Sequence, residues 1–87
     1  MALTEQSVLR DRIIAVLMTV PSHAAKRADV VEMMDTSYSN TWTPDDLDSP
    51  KTRPFESNWR NRASFERARM VRDGVLLPSA DGNWALK

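Results

Sequence analysis

Apolar side chains near the start of the chain recur at spacings of three and four residues, as they do on one face of a helix. The positions are Val8 or Leu9, Ile13, Val16, Leu17 and Val20. Thr4 stands ahead of them as a residue that can cap the first turn, and Pro21-Ser22 ends the pattern. The stretch therefore predicts an amphipathic first helix whose apolar face is turned toward a core.

A second, shorter pattern runs from about residue 25 to residue 35, with Ala28, Val31 and Met34 as the predicted buried stripe. The polar residues 36–40 interrupt it. This pattern predicts a short amphipathic helix that packs beside the first one. The two helices would form the start of a small bundle.

Thr43 and Pro44 mark the start of a further short helix. Thr43 has the side chain of an N-cap residue, and Pro44 suits the first helical position because that position needs no N–H donor. Asp45 and Asp46 add negative charge at the positive end of the helix dipole. We expect one or two helical turns here, followed by a loop.

The last third of the chain combines a long helix with two strand-like runs. The helix is predicted over about residues 57–73, with Gly74 as its left-handed C-cap. The apolar runs 75–77 and 83–86 flank the turn residues 78–82, which is the composition of a β-hairpin. A helix that leads directly into a hairpin is typical of a winged-helix domain.

The predicted fold class is therefore α+β and mostly α. We expect a winged helix-turn-helix of three to four helices plus a C-terminal β-hairpin wing, with residues 1–87 as a single domain. With 41% apolar residues and three tryptophans, such a domain can bury a modest core. The fold thus needs neither disulfides nor a metal ion.

Composition also limits the chemistry. The sequence contains no cysteine, and its single histidine, His23, has no metal-ligand partner at a useful spacing. We therefore expect no metal, no cofactor and no catalytic residue, so that the chain by itself is not an enzyme. The start does not resemble a signal peptide, and no apolar stretch approaches the roughly 20 residues of a membrane span. A cytoplasmic protein with no membrane partner is expected.

The formal net charge of zero hides a division along the chain. Residues 1–50 carry four basic and eight acidic side chains, a net charge of −4, whereas residues 51–73 carry seven basic and three acidic ones, a net charge of +4. A local basic stripe of this kind attracts phosphate even when the total charge is zero. The alternative is that the two halves neutralise each other across the domain.

The predicted long helix has two chemically different faces. Trp59, Ala63 and Met70, with Glu66 one step aside, share the first face and are expected to pack on the first two helices. The opposite face is polar. It carries Ser57, Arg60, Asn61, Ser64 and Arg67.

An outward polar face can enter the major groove of DNA, with its N-terminal half nearest the base edges. Asn61 suits adenine and Arg60 suits guanine, while Ser64 can serve either base. The alternatives are a solvated surface charge for each arginine and a helix-start cap or internal hydrogen bond for Asn61. The sequence thus predicts base contacts from one short stretch of the helix.

Further basic side chains are candidate DNA contacts around this stretch. They are Lys51, Arg53, Arg62, Arg67, Arg69 and Arg72. The last four spread around the helix, so they would bind phosphates or anchor the helix within the domain.

The aromatic residues differ in their expected positions. Trp59 and Trp84 are expected in the core, because one opens the buried face of the helix and the other lies in an alternating strand. Trp42 either covers the helix bundle or lies exposed as a stacking surface. Phe65 lies between the two faces of the helix, and contact with a base or a methyl group remains open for it.

Several of these positions occur in an order that is known from a protein family. They are Trp59, Asn61-Arg62, Phe65, Arg67, Met70, Gly74-Val75 and Gly82-Asn83-Trp84-Ala85-Leu86. The set resembles the winged-helix domain at the N-terminus of Mrr-type restriction proteins, which is related to the winged helices of methyladenine-dependent restriction endonucleases. The resemblance spans about residues 8–86 and is specific over about 57–86. One departure is Glu66, where the family commonly has alanine.

The resemblance implies a module that recognises double-stranded DNA for a restriction-type system, with methylated DNA as one class of target. Any cleavage would then belong to a nuclease domain or to another chain. A homodimer is an open alternative to a single copy. A small transcriptional regulator is a further interpretation within the same DNA-binding class.

The predicted wing argues for a different class of function. Its tip, residues 79–82, contains no lysine or arginine and includes Asp81. If the domain binds DNA, we therefore expect contacts from the long helix to dominate. The neutral total charge, the acidic first half and this wing keep open a second interpretation, a winged-helix module for protein–protein interaction.

Overall fold

The computed structural model describes residues 2–79 and 82–87. Within these residues the chain forms a small, mostly helical α+β domain with four helices and a two-stranded antiparallel sheet. The elements are α1 (Gln6–Met18), β1 (Ala24–Lys26), α2 (Arg27–Tyr38), α3 (Pro44–Leu47), α4 (Asn58–Arg72) and β2 (Asn83–Ala85). The predicted α+β class is confirmed at this level.

The core lies where α1 packs between α2 and α4. Of the two alternatives at the start of the apolar pattern of α1, Leu9 is buried and Val8 is only partly buried. Leu9, Ile13 and Leu17 are fully buried. They form one cluster with the buried residues of α2 and α4. Burying a side chain of this size contributes roughly 1.5–3 kcal/mol, so this cluster is the main stabilising feature of the domain.

The three tryptophans all lie in the core. Trp59 and Trp84 are buried, as predicted. Trp42 is also buried and stacks on Trp59, with 4.2 Å between ring centroids and 7° between the ring planes. Of the two alternatives for Trp42, covering the helix bundle is therefore confirmed.

The sheet differs from the predicted arrangement. The segment that was expected to open the second helix is instead β1, which pairs with β2 in the register Ala24↔Ala85, Ala25↔Trp84 and Lys26↔Asn83. The expected hairpin partners meet in a single bridge, Leu76↔Leu86. Segment 24–26 has no strand pattern of its own, and the distant residues 83–85 supply the backbone partners that make it a strand.

Three local predictions are also wrong. Thr4 does not cap α1, because the helix starts one residue after Glu5 and the Thr4 side chain binds Asp46 instead. Ala28 is exposed, whereas Val30 is fully buried in its place. Helix α2 starts at Arg27 instead of residue 25, and its buried residues are Val30, Val31 and Met34.

The signals for α3 and for the end of α4 are confirmed. Thr43 caps α3 in a capping box with Asp46, and Pro44 occupies the first helical position. Gly74 follows α4 with a φ of 79°, the left-handed conformation that glycine adopts without strain. Of the predicted wing tip, Ala80 and Asp81 lie outside the described residues.

Asp46 attaches the start of the chain to α3. Its carboxylate is fully buried and accepts hydrogen bonds from the Thr4 N–H (2.8 Å), the Thr4 hydroxyl (2.5 Å) and the Thr43 N–H (2.9 Å). Burial pushes the pKa of Asp46 upward, but these hydrogen bonds outweigh it and hold the pKa below its ordinary value. We call this arrangement the Asp46 clamp.

Candidate nucleic-acid interface

Helix α4 presents one face to the core and another to solvent. Trp59, Ala63, Glu66 and Met70 are buried, so the predicted inner face is confirmed. The centre of the opposite face carries the partly exposed Asn61 and the exposed Phe65, Ala68 and Arg72. Phe65 keeps 62% of its surface exposed. The outward face is thus more apolar at its centre than the sequence pattern indicates.

Two of the three predicted base contacts, Arg60 and Ser64, contact residues of α2. The Arg60 guanidinium lies 3.1 Å from the Asp35 carboxylate and also covers the ring of Trp59. The Ser64 hydroxyl accepts a hydrogen bond of 2.8 Å from Nε of Arg27. Both side chains remain partly exposed at the edge of the outer face. Of the three predicted base contacts, only Asn61 lies at the centre of the outer face of α4.

The loop before α4 brings Arg53 and Arg27 to one carboxylate. Glu56 accepts hydrogen bonds from Nη2 of Arg27 and, at 2.9 Å, from Nε of Arg53. The Glu56 side chain is 10% exposed, whereas the side chains of Arg27 and Arg53 are 40% and 50% exposed. We call these three residues the Arg27–Glu56–Arg53 fork.

The fork borders an open cleft of about 450 Å³ on the surface of the domain. Arg27, Arg53, Glu56, Asn61, Ser64 and Phe65 line it. Phe55 lies beside the fork with 80% of its surface exposed, and the Arg53 guanidinium sits 5.3 Å from the centre of its ring. The cleft therefore combines cations, an amide and aromatic surface at the N-terminal end of α4.

Ser57 and Lys51 lie in the segment that precedes α4. Ser57 is the N-cap residue of α4, and its hydroxyl oxygen is buried with no hydrogen-bond partner among the residues that the structure describes. Lys51 is exposed in the preceding loop. Of the three candidate contacts before the first turn of α4, Arg53 lines the cleft, whereas Ser57 and Lys51 do not.

Arg62 and Arg67 bind main-chain carbonyl oxygens of the domain. Arg62 donates to the Thr4 carbonyl, and Nη2 of Arg67 lies 3.4 Å from the carbonyl oxygens of both Ser79 and Asn83. These contacts make both side chains anchors, one for the start of the chain and one for the segment around β2. Because a carbonyl carries no full charge, both arginines still contribute positive charge to the surface.

A second charged cluster lies at the C-terminal end of α4. Arg10 of α1 binds the buried Glu66 at 2.5 Å and Asp73 at 2.8 Å. Asp73 and Glu66 raise the pKa of Arg10, and Arg10 in turn lowers the pKa of Asp73. Glu66 therefore forms an ion pair between α1 and α4.

Arg69 and Arg72 extend from this cluster into solvent. Their side chains are 55% and 74% exposed, and their nearest carboxylates lie at 3.9 Å and 3.6 Å. Ion pairs this exposed and this long hold their partners only weakly. Both side chains are therefore able to reach a ligand beside α4.

Neutralisation between the two halves of the chain is limited. Among the ion pairs of the described residues, only Arg60–Asp35 joins a cation of residues 51–73 to a carboxylate of residues 1–50. The exposed Asp29 and Glu32 lie on α2 instead. Three further ion pairs of the described residues join Arg10 or Arg27 to carboxylates of residues 51–73, whereas six of the seven cations of that segment have no ion pair with a carboxylate of residues 1–50.

Two contributors to the interface were missed in the sequence. The sequence pattern assigns neither Arg27 nor Phe55 to a DNA contact. Neither carries a local signal, because Arg27 meets Glu56 and Ser64 across 29 and 37 positions of the chain. Only the folded structure brings them beside α4.

In the part of the chain that the structure covers, no group of three or more His, Cys, Asp or Glu side chains is arranged to hold a metal ion. None of the described helices is both long and apolar enough to cross a membrane. Comparisons with known protein families, with curated proteins and with solved structures found no match.

Proposed function

We propose that the protein is a winged-helix module that binds double-stranded DNA through α4 and serves as the recognition domain of a restriction-type system. Topology supports the winged helix: a strand between α1 and α2 pairs with the last strand, and the chain after α4 meets it at Leu76↔Leu86. The ordered motif of residues 59–86 supports the Mrr-type resemblance. A cytoplasmic location fits this role.

The main support for the proposal comes from the residues on the outer face of α4. Asn61 and Phe65 lie one turn apart on it, next to the cleft, with no other described element covering Phe65. An asparagine amide can form two hydrogen bonds, with N6 and N7 of adenine, in the major groove, and a phenylalanine can contact a thymine methyl group. In this proposal Asn61 and Phe65 read bases, with Arg60 and Ser64 at the edge of the same face.

Cations at both ends of α4 would fix the helix in the groove. Arg53 and Lys51 lie near its start and Arg69 and Arg72 near its end. The helix has 15 residues and is roughly 22 Å long, against a major groove about 12 Å wide. The two groups are thus far enough apart to reach phosphates on opposite sides of one groove.

Fluorescence anisotropy with a labelled duplex tests the proposal. Binding should weaken steeply when salt is raised, because cations that contact phosphates release counterions. Asn61→Ala should reduce affinity by about tenfold, and Asn40→Ala, in the exposed turn after α2, is the matched control. Lys51→Ala should lower the salt slope by about 1, whereas Lys87→Ala should not. Absence of binding to any duplex at low salt would remove the proposal.

The restriction-type role needs a second measurement. Duplexes that carry methyladenine or methylcytosine should be compared with unmodified duplexes of the same sequence. A module that recognises modified DNA binds the modified duplex more tightly, and Phe65→Ala should reduce that difference. Equal affinities would leave a general DNA-binding module, such as a small transcriptional regulator. The proposal assigns any cleavage to another domain or chain.

One observation favours a second candidate, a module for protein–protein interaction. Phe55 and Phe65 are 80% and 62% exposed near the same cleft, and exposed aromatic residues are common anchors in protein interfaces. If this candidate holds and DNA is not the ligand, the wild-type protein will bind no duplex at low salt. The anisotropy titration therefore separates the two candidates.

A further inference from the structure

In the Arg27–Glu56–Arg53 fork, two arginines bind one anion, and that anion is the carboxylate of Glu56. Each carboxylate oxygen of Glu56 accepts from a different arginine, one from the start of α2 and one from the loop before α4. Carboxylate and phosphate oxygens accept guanidinium N–H groups in similar geometry. The position of the Glu56 carboxylate is therefore a position that a phosphate can occupy.

The two arginines are held in place and keep donors to spare. Nε of Arg27 is tied to the Ser64 hydroxyl on α4, so this guanidinium is oriented independently of Glu56. Arg53 uses Nε for Glu56, and its two terminal amino groups take no part in that contact. Both side chains are about half exposed and border the cleft beside Asn61.

We propose that Arg27 and Arg53 form a binding site for one phosphodiester of the DNA backbone, and that Glu56 occupies this site when DNA is absent. The inference rests on the proposed function and adds to it that Glu56 competes with DNA for the two arginines. On binding, the phosphate takes the arginine donors and the Glu56 side chain turns into solvent. Because the side chains of Arg27 and Arg53 are 40% and 50% exposed, a phosphate can reach their donors, and Glu56 lowers affinity without abolishing it.

Glu56→Gln tests this exchange, with Glu32→Gln as the matched control. Both substitutions remove one negative charge, but Glu32 is exposed on α2 and bordered by a different groove. In anisotropy titrations, Glu56→Gln should raise affinity for the same duplex by about fivefold, and Glu32→Gln by less than about twofold. If Glu56 instead holds the loop in its binding conformation, Glu56→Gln will lower affinity, and that result overturns the inference.

A double-mutant cycle separates the fork from a general effect of charge. In an Arg27→Gln, Arg53→Gln background the gain from Glu56→Gln should disappear, because no guanidinium donors remain there for the phosphate. A gain that persists in this background overturns the inference while the proposed function stands. If neither the wild-type protein nor Glu56→Gln binds any duplex at low salt, both proposals fail.

The wild-type protein provides a measurement that does not depend on the folding of a variant. The Nε–H signals of Arg27 and Arg53 can be followed by NMR during a titration with duplex DNA. Both signals should shift as the partner changes from carboxylate to phosphate, while that of Arg12, which lies over Tyr38 and Trp42, should not. Unchanged Arg27 and Arg53 signals in a DNA-bound protein overturn the inference.

Discussion

Asp46, which is fully buried, and Glu56, whose side chain is 10% exposed, are two carboxylates that the protein satisfies in opposite ways. Asp46 accepts from main-chain N–H groups and a threonine hydroxyl, all of which are fixed by the fold. Glu56 accepts from two long arginine side chains that are themselves about half exposed. The difference teaches that burial of a carboxylate alone does not define its role. Fixed donors favour a structural role, whereas exposed cationic donors permit exchange with another anion.

The largest expected effect is loss of stability when the Asp46 clamp is weakened. Asp46→Asn leaves one acceptor oxygen for three buried or partly buried donors, so the free energy of unfolding should fall by about 2 kcal/mol. Urea unfolding followed by tryptophan fluorescence measures it. Asp45→Asn removes the same charge one residue earlier in α3 and should cost less than about 1 kcal/mol. Equal losses would erase the distinction between the two carboxylates.

The second prediction concerns acid. The pKa of Asp46 is lower in the folded protein than its ordinary value, so its stabilising effect is present above the unfolded pKa of about 3.9. That effect is lost as pH falls through the lower folded pKa. Urea unfolding between about pH 7 and about pH 2 should therefore show a decline below about pH 4. The decline should be smaller in Asp46→Asn, and identical profiles would contradict the role given to the clamp.

A smaller effect is expected when the fork is broken. Glu56→Gln should lower the free energy of unfolding by less than about 1 kcal/mol, although it removes a carboxylate with two ion-pair partners. The reason is that Arg27 and Arg53 regain water once the carboxylate is gone. The same urea experiment measures it, beside Glu32→Gln. A loss as large as that of Asp46→Asn would make Glu56 a structural residue and weaken the proposed exchange.

The smallest expected effect is the response to salt. Added NaCl screens exposed charges but hardly affects buried hydrogen bonds. The stability cost of Glu56→Gln should therefore shrink toward zero between about 0.05 and about 0.5 M NaCl, while that of Asp46→Asn should stay nearly constant. Unfolding curves of the three proteins at both salt concentrations supply the comparison. Parallel changes would show that the two carboxylates are held by similar forces.

Features with a local cause were predictable from the sequence. The cap at Thr43-Pro44 and the left-handed Gly74 depend on a few neighbouring residues, and the buried face of α4 follows from the spacing of Trp59, Ala63 and Met70. These elements form as expected because their signals lie within one or two helical turns.

Features that depend on distant partners were not predictable in the same way. The segment 24–26 becomes a strand only because residues 83–85 pair with it. Thr4 looked like a helix cap, but the buried Asp46 offers its N–H and hydroxyl a better partner 42 positions away. In the candidate interface, the types and charges of the residues could be seen in the sequence. The Arg27–Glu56 and Arg60–Asp35 ion pairs could not, because they depend on tertiary packing.

The pairing of β1 with β2 also affects how the domain is completed during synthesis. Ala24 and Ala85 are 61 positions apart, and Leu86 donates to the carbonyl of His23. Helices α1 and α2 contain only local backbone contacts, so they can form early, whereas the sheet must wait for the segment after α4. A ribosome-bound chain that still holds residues 83–86 inside the exit tunnel therefore displays the helices without the strand that closes them.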